Sequence, residues 1–268
     1  MTKPLMLCGL DIETTGLDFK EDTITELGWV VKEHGDPKPL EIRSVFIKGE
    51  HKISDEIYQL TKIKQSHITA AGVPPGVAFA TLYGDLVKHK VDYIVAHNGG
   101  GFDKPFMREF FSGPFMKEAS ATFGFNPDYI FDELPWLDTR DDIVYPFGMT
   151  ATNLIYICAC LGFVNPFQHA AVFDAFATLK VLESFPIEPI IARSKEPWAT
   201  VRALILAPFN DPAPAGEKQA DKAKARRYRW QDCGDGKVWD KCWVKRVKLS
   251  EVGREKDEAP FDVVLLEK

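Results

Sequence analysis

The chain has 268 residues, 45% hydrophobic and 27% charged, and its 33 Lys+Arg against 39 Asp+Glu give a formal net charge of −6. This is the balance of a soluble globular protein and excludes a disordered chain. No apolar run reaches the roughly 18 residues that a membrane helix needs. The acid is unevenly spread: residues 1–195 hold 18 Lys+Arg against 26 Asp+Glu, and residues 196–268 hold 15 against 13. The first ten residues run straight into Asp11 and Glu13, which is not the layout of a secretory signal. Five scattered cysteines (Cys8, Cys158, Cys160, Cys233 and Cys242) do not form a disulfide framework and predict reduced thiols in a cytoplasmic protein.

Residues 5–10, followed by Asp-Ile-Glu, read as a buried strand. Residues 24–32 and 41–48 read as the next two strands, and the Gly-Asp-Pro-Lys-Pro stretch at 35–39 has the turn chemistry of an antiparallel meander. Residues 77–90 then switch to helical spacing. A short buried strand is expected at 93–96, a helix at 103–111, and two amphipathic helices at 149–161 and 170–185. Strands followed by a strand–helix mixture predict a three-layer α/β domain with a mixed sheet. From about residue 186 prolines punctuate the chain, and residues 207–216 are rich in turn formers. Strands are expected at 199–206, 228–231, 238–247 and 261–266, with helices at 217–226 and 249–256, making a small α+β module.

Three short strings carry the chemistry. In Asp11-Ile-Glu-Thr-Thr-Gly-Leu17, residues i and i+2 of a strand point the same way, so Asp11 and Glu13 share a face. A pair at a strand end can be a solvated edge. Here the preceding strand is apolar on both sides, and a buried carboxylate pair is costly unless a divalent cation sits between the charges. In His97-Asn-Gly-Gly-Gly-Phe-Asp103, Asp103 is either the N-cap of its helix or a further ligand, and the glycines let the backbone approach anything lying in the cleft. In His169-Ala-Ala-Val-Phe-Asp174, Asp174 falls at the edge of the buried stripe of its helix. His169, at the start of that helix, is a structural histidine or, beside four carboxylates, a general base.

In this order and spacing the three strings resemble the DEDDh 3′→5′ exonucleases of the ribonuclease-H-like superfamily. The resemblance spans about residues 5–185, with softer matches at Ile24-Thr-Glu-Leu-Gly28, Leu60-Thr-Lys-Ile63, Ala71-Gly-Val-Pro74 and Leu137-Asp-Thr139. The related DEDDy enzymes carry a tyrosine four residues before the last aspartate. That position is Ala170 here, and His169 marks the histidine type. The family usually places two residues between its His-Asn and Phe-Asp pairs. This chain has three, Gly99 to Gly101, so a local bulge that leaves Asp103 on its helix is expected.

The resemblance implies an α/β fold with a mixed five-stranded sheet in residues 1–190; beyond it, composition and pattern predict a linker and first module strand in 191–216 and a basic, aromatic module in 217–268. It implies that Asp11, Glu13, Asp103 and Asp174 hold two Mg²⁺ or Mn²⁺ ions, with His169 as base. It also implies that Thr14, Thr15, Gly16, Leu17, His97, Asn98 and Phe102 bind the 3′-terminal nucleotide. Asp138 would organise a loop. The implied partner is nucleic acid: DNA 3′ ends, with an RNA 3′-end trimmer or a catalytically silent clamp as the alternatives. No sliding-clamp peptide is visible, so association with a polymerase has no support. In the module, Arg227, Arg229, Trp230 and Trp239 either form a stacking and phosphate surface or, for the aromatics, the core of a small domain. Cys233 and Cys242 do not make a zinc pair.

Overall fold

The computed structural model describes residues 3–146, 149, 151–205, 218–232 and 241–266. The chain divides into two compact units, Met1–Ser194 and Lys195–Lys268.

In the first unit the elements run β1 (Met6–Thr14), β2 (Ile24–Glu33), β3 (Pro39–Phe46), α1 (Asp55–Thr61), α2 (Gln65–Ala71), α3 (Pro75–Lys88), β4 (Tyr93–Ala96), α4 (Asp103–Phe110) and α5 (Pro114–Phe123). A π-helical turn at Tyr129–Glu133 precedes β5 (Trp136–Asp138), and α6 (Leu154–Cys160), α7 (Ala171–Glu183) and α8 (Ile187–Ser194) follow. The five strands form one mixed sheet in the order β3-β2-β1-β4-β5. β1 is antiparallel to β2 and parallel to β4, and β5 is parallel to β4.

β1 is the central strand, and its two-residue alternation sorts the layers. Met6, Cys8, Leu10 and Ile12 enter the core with α3, α4 and α5. Leu7 enters the core with α6, α7 and α8. The same alternation puts Gly9, Asp11 and Glu13 on the α7 side.

α7 lies close on that side because two strand positions lack side chains. A Cβ on Gly9 would come within 2.5 Å of the Ala175 carbonyl oxygen, and one on Gly28 within 2.3 Å of the Val172 nitrogen. The far end of α7 is held by a 2.6 Å ion pair between Lys32 of β2, whose side chain is buried, and Glu183.

Several elements depart from the expectations. The helix expected from residue 149 begins at Leu154, because the Asn153 side chain caps it by accepting from the Tyr156 N–H. α1, α2, α5 and α8 fall in stretches with no helical expectation. α8 runs through one of the prolines read as punctuation, since Pro189 sits in the first turn, where its missing N–H has no intrahelical acceptor anyway.

The second unit comprises β6 (Trp198–Ala203), α9 (Gln219–Ala225), β7 (Arg229–Asp232), β8 (Lys241–Lys248), a 3₁₀ turn at Leu249–Glu251, α10 (Val252–Glu258) and β9 (Val263–Leu266). Its sheet has the order β7-β8-β6-β9. Its core gathers Val201, Ala223, Tyr228, Trp243 and Phe261. The expected strand positions at 206 and 238–240 and the 207–216 loop lie outside the described residues. Cys8, Cys158 and Cys160 are free thiols, but Cys242 is disulfide-bonded, which corrects the expectation of a fully reduced set. No helix among the described residues is long and apolar enough to cross a membrane.

Candidate active site

The end of β1, the start of α4 and the start of α7 meet in an open cleft of about 670 Å³. Asp11, Glu13, Asp103, Asp174 and His169 all line it. Ligand atoms of Glu13, His169 and Asp174 lie within 4.8 Å of one another.

Asp103 is the first residue of α4; the N-cap position belongs to Phe102. It is 2% exposed, and its Oδ1 is buried with no hydrogen-bond partner among the described residues. The expected bulge takes the form of a turn: Asn98 adopts a left-handed φ of 67°, and its carbonyl accepts from the Gly101 and Phe102 N–H groups.

Asp174 is oriented on both oxygens. Asn165 Nδ2 donates to Oδ1 at 2.5 Å, and the His169 N–H donates to Oδ2 at 2.9 Å. That second bond, with a φ of 58° at His169, ties the histidine backbone to the aspartate.

The electrostatics are those of like charges crowded together in a buried place. Burial, then Asp103, Glu13, Asp174 and Glu26, raise the Asp11 carboxyl well above its ordinary range. Burial, then Glu26, Asp174 and Asp103, push Glu13 up to about 8. Burial first, and then the Asp138 charge, take Asp103 to about 7. Asp174 is also raised, mainly by burial, although its bonds to His169 and Asn165 work against the rise. Such a set favours either bound protons or a multivalent cation. Hard carboxylate oxygens, one of them buried without a partner, suit Mg²⁺ or Mn²⁺.

Of the expected nucleotide-binding residues, Thr14, Gly16, Leu17, His97, Asn98 and Phe102 line the cleft. Leu17 stands 83% exposed at its mouth. Thr14 Oγ1 donates to the Gly16 carbonyl. Thr15 is instead tied to Asp22, to which its hydroxyl donates at 3.0 Å, and a side chain at Gly16 would strike that same carboxylate.

His97 is occupied on both ring nitrogens, Nε2 at 2.8 Å from the Thr152 carbonyl and Nδ1 at 2.9 Å from Thr139 Oγ1. Burial lowers its pKa to about 4. It is therefore a neutral brace, in which Nε2–H donates to the carbonyl. Asp138 accepts from the Asn98, Gly100 and Arg140 N–H groups and so shapes the glycine turn.

In the second unit Arg227 and Arg229 are exposed. Trp230 is half-buried against Trp243, with ring centroids 5.5 Å apart, and Trp239 lies outside the described residues.

Two further residues, unmarked by the three strings, shape the site. Glu26, 4% exposed and directly opposite Glu13 in the β1–β2 register, accepts from Ser44 Oγ and from the Ala171 N–H. Because Ala170 supplies no side-chain cap for α7, Glu26 serves its positive end from the neighbouring strand. A carboxylate inside an apolar strand run was the available signal. Arg140 lines the cleft as well, and nothing in the sequence pattern marked it.

The fold is that of an exonuclease domain. The chain belongs to the RNase_T exonuclease family, whose match covers residues 8–182. It is structurally similar to the zinc-bound E. coli Exonuclease I–ssDNA complex at TM-score 0.56 and 15% identity, over 91% of this chain and 63% of that one. A second Exonuclease I structure matches at 0.53 and 17%, over 70% of this chain and 43% of that one. This chain thus spans 43% and 63% of the length of those two proteins. A 3′-exonuclease that recognises a histone mRNA stem-loop matches at 0.53 and 13%, over 69% and 82%. No curated protein sequence matches.

Proposed function

We propose that this protein is a metal-dependent 3′→5′ exonuclease that removes nucleoside 5′-monophosphates from DNA, preferring single-stranded or frayed 3′ ends. The observation that carries the reading is the convergence of four mutually repelling carboxylates and His169 on one cleft. Asp11, Glu13, Asp103 and Asp174 would hold two Mg²⁺ or Mn²⁺ ions. Bound there, such ions activate water and stabilise charge on the attacking and departing oxygens.

The chain's own residues supply the rest. His169 takes the proton of the attacking water, held beside the reaction by its N–H bond to Asp174. The oxygen of water joins the terminal phosphorus, the bond from phosphorus to the 3′ oxygen breaks, and that oxygen takes a proton from solvent as it leaves on the shortened strand. Thr14, Gly16 and Leu17 at the cleft mouth receive the terminal sugar and base, contacts that leave base edges unread and suit a sequence-blind enzyme. Arg227 and Arg229 offer phosphate contacts on the second unit. DNA is favoured because the likeness extending over 91% of the chain is to a protein holding single-stranded DNA.

Digestion of matched 5′-labelled DNA and RNA oligonucleotides, with Mn²⁺ and with EDTA, tests this. A ladder shortening from the 3′ end of DNA, abolished by EDTA, is the expected result. Preferential shortening of RNA would move the substrate class, and binding without cleavage would overturn the enzymatic reading.

A further inference from the structure

The cleft wall carries a single Lys or Arg among its described lining residues, Arg140, in a cleft otherwise charged by carboxylates. Its guanidinium is bonded to a neutral carboxamide rather than to an acid: Nη1 donates to Asn98 Oδ1 at 2.7 Å. A guanidinium has five N–H donors in a fixed fork, and this bond uses one of them.

Its position is built rather than incidental. The Arg140 N–H donates to Asp138 Oδ1 at 2.9 Å, and the same oxygen accepts the Asn98 N–H at 2.8 Å. One carboxylate thus sets the backbone of both partners. Asn98 takes the left-handed conformation that asparagine tolerates. Its carboxamide lies over Gly101, where a Cβ would come within 2.8 Å of Oδ1. A side chain on this third glycine of the turn would press on the Asn98 carboxamide that holds Arg140.

The geometry points to Arg140 as a phosphate-binding residue, steadied by Asn98, that grips a phosphate of the substrate strand other than the one being cut. The strand order supports the choice of phosphate. The Arg140 backbone follows β5, but its guanidinium is anchored on Asn98 beyond the end of β4, one strand over from the β1 carboxylates, which is about 5 Å at the usual strand spacing. A guanidinium suits phosphate through paired N–H donors and is indifferent to base identity. The assignment rests on the exonuclease reading above.

The test uses the full chain with Mn²⁺ and two substrates, an oligothymidylate and the p-nitrophenyl ester of thymidine 5′-monophosphate, which has only one phosphodiester. Arg140→Gln should lose about tenfold in kcat/KM on the oligonucleotide, chiefly through KM, and several-fold less on the ester. The slope of log(kcat/KM) against log[salt] on the oligonucleotide should become shallower by about 0.7, the value for one lost contact to a single strand. Arg140→Lys, which keeps the charge, should restore that slope. Equal losses on both substrates, or an unchanged salt slope in an active Arg140→Gln enzyme, would overturn this inference alone. A wild-type enzyme inactive on both substrates would overturn the exonuclease reading and this inference with it.

Discussion

The carboxylate cluster makes the metal-free protein weaker as pH rises, and Glu13 gives the effect a size. Its carboxyl is pushed from 4.5 to about 8 in the folded chain, first by burial and then by Glu26, Asp174 and Asp103. Between those values the folded state holds a proton that the unfolded chain has released, so stability falls with increasing pH. Integrating one such group from pH 6.5 to 8.5 gives a loss of about 2 kcal/mol. In a unit of this size that corresponds to roughly 4–8 °C in melting temperature. His97 works in the other direction: its folded pKa of about 4 makes stability rise with pH, but that gain is nearly complete by pH 6.5, so the chosen window isolates the acids. The assay is differential scanning fluorimetry in EDTA at the two pH values, for the wild type and Glu13→Gln. The wild type should melt lower at pH 8.5, the variant should lose the Glu13 share of that pH dependence while the raised Asp11 and Asp103 carboxyls keep the rest, and millimolar Mn²⁺ should remove it from the wild type by binding the deprotonated cluster. An identical pH dependence in wild type and variant would refute the electrostatic account.

Other outcomes follow from single contacts. His169→Ala should lower kcat by roughly 10²–10⁴-fold with secondary structure unchanged by circular dichroism, and near-normal turnover would remove its role as base. Asp11→Ala and Asp174→Ala should abolish hydrolysis of a labelled single strand, and turnover by either would discredit the cation cage. Gly28→Ala would press a methyl group onto the backbone at Ala171 and Val172. It should cost about 1–3 kcal/mol in a denaturant titration and lower activity by displacing α7; unaltered stability would show that the helix is free to move. Asp138→Ala removes the acceptor of three N–H groups and should cost about 2 kcal/mol while loosening the turn that leads to Asp103. A stability equal to the wild type would show that water replaces it.

Much of this protein was legible in the sequence because its signals are local. The alternation of β1 places Asp11 and Glu13 on one face whatever surrounds them, and the spacing from His169 to Asp174 brings a histidine to the start of an aspartate-bearing helix. The ordered strings identified the fold and the carboxylates together. Tertiary structure decided what depended on partners distant in the chain. Glu26 matters because α7 arrives 145 residues later to present an uncapped N–H. His97 became a brace because Thr139 and Thr152 occupy both of its nitrogens. Arg140 entered the cleft because Asn98, on the turn after β4, accepts its guanidinium. Periodicity carries information along one element, whereas hydrogen-bond partners and electrostatic neighbours are set by which elements the sheet order makes adjacent.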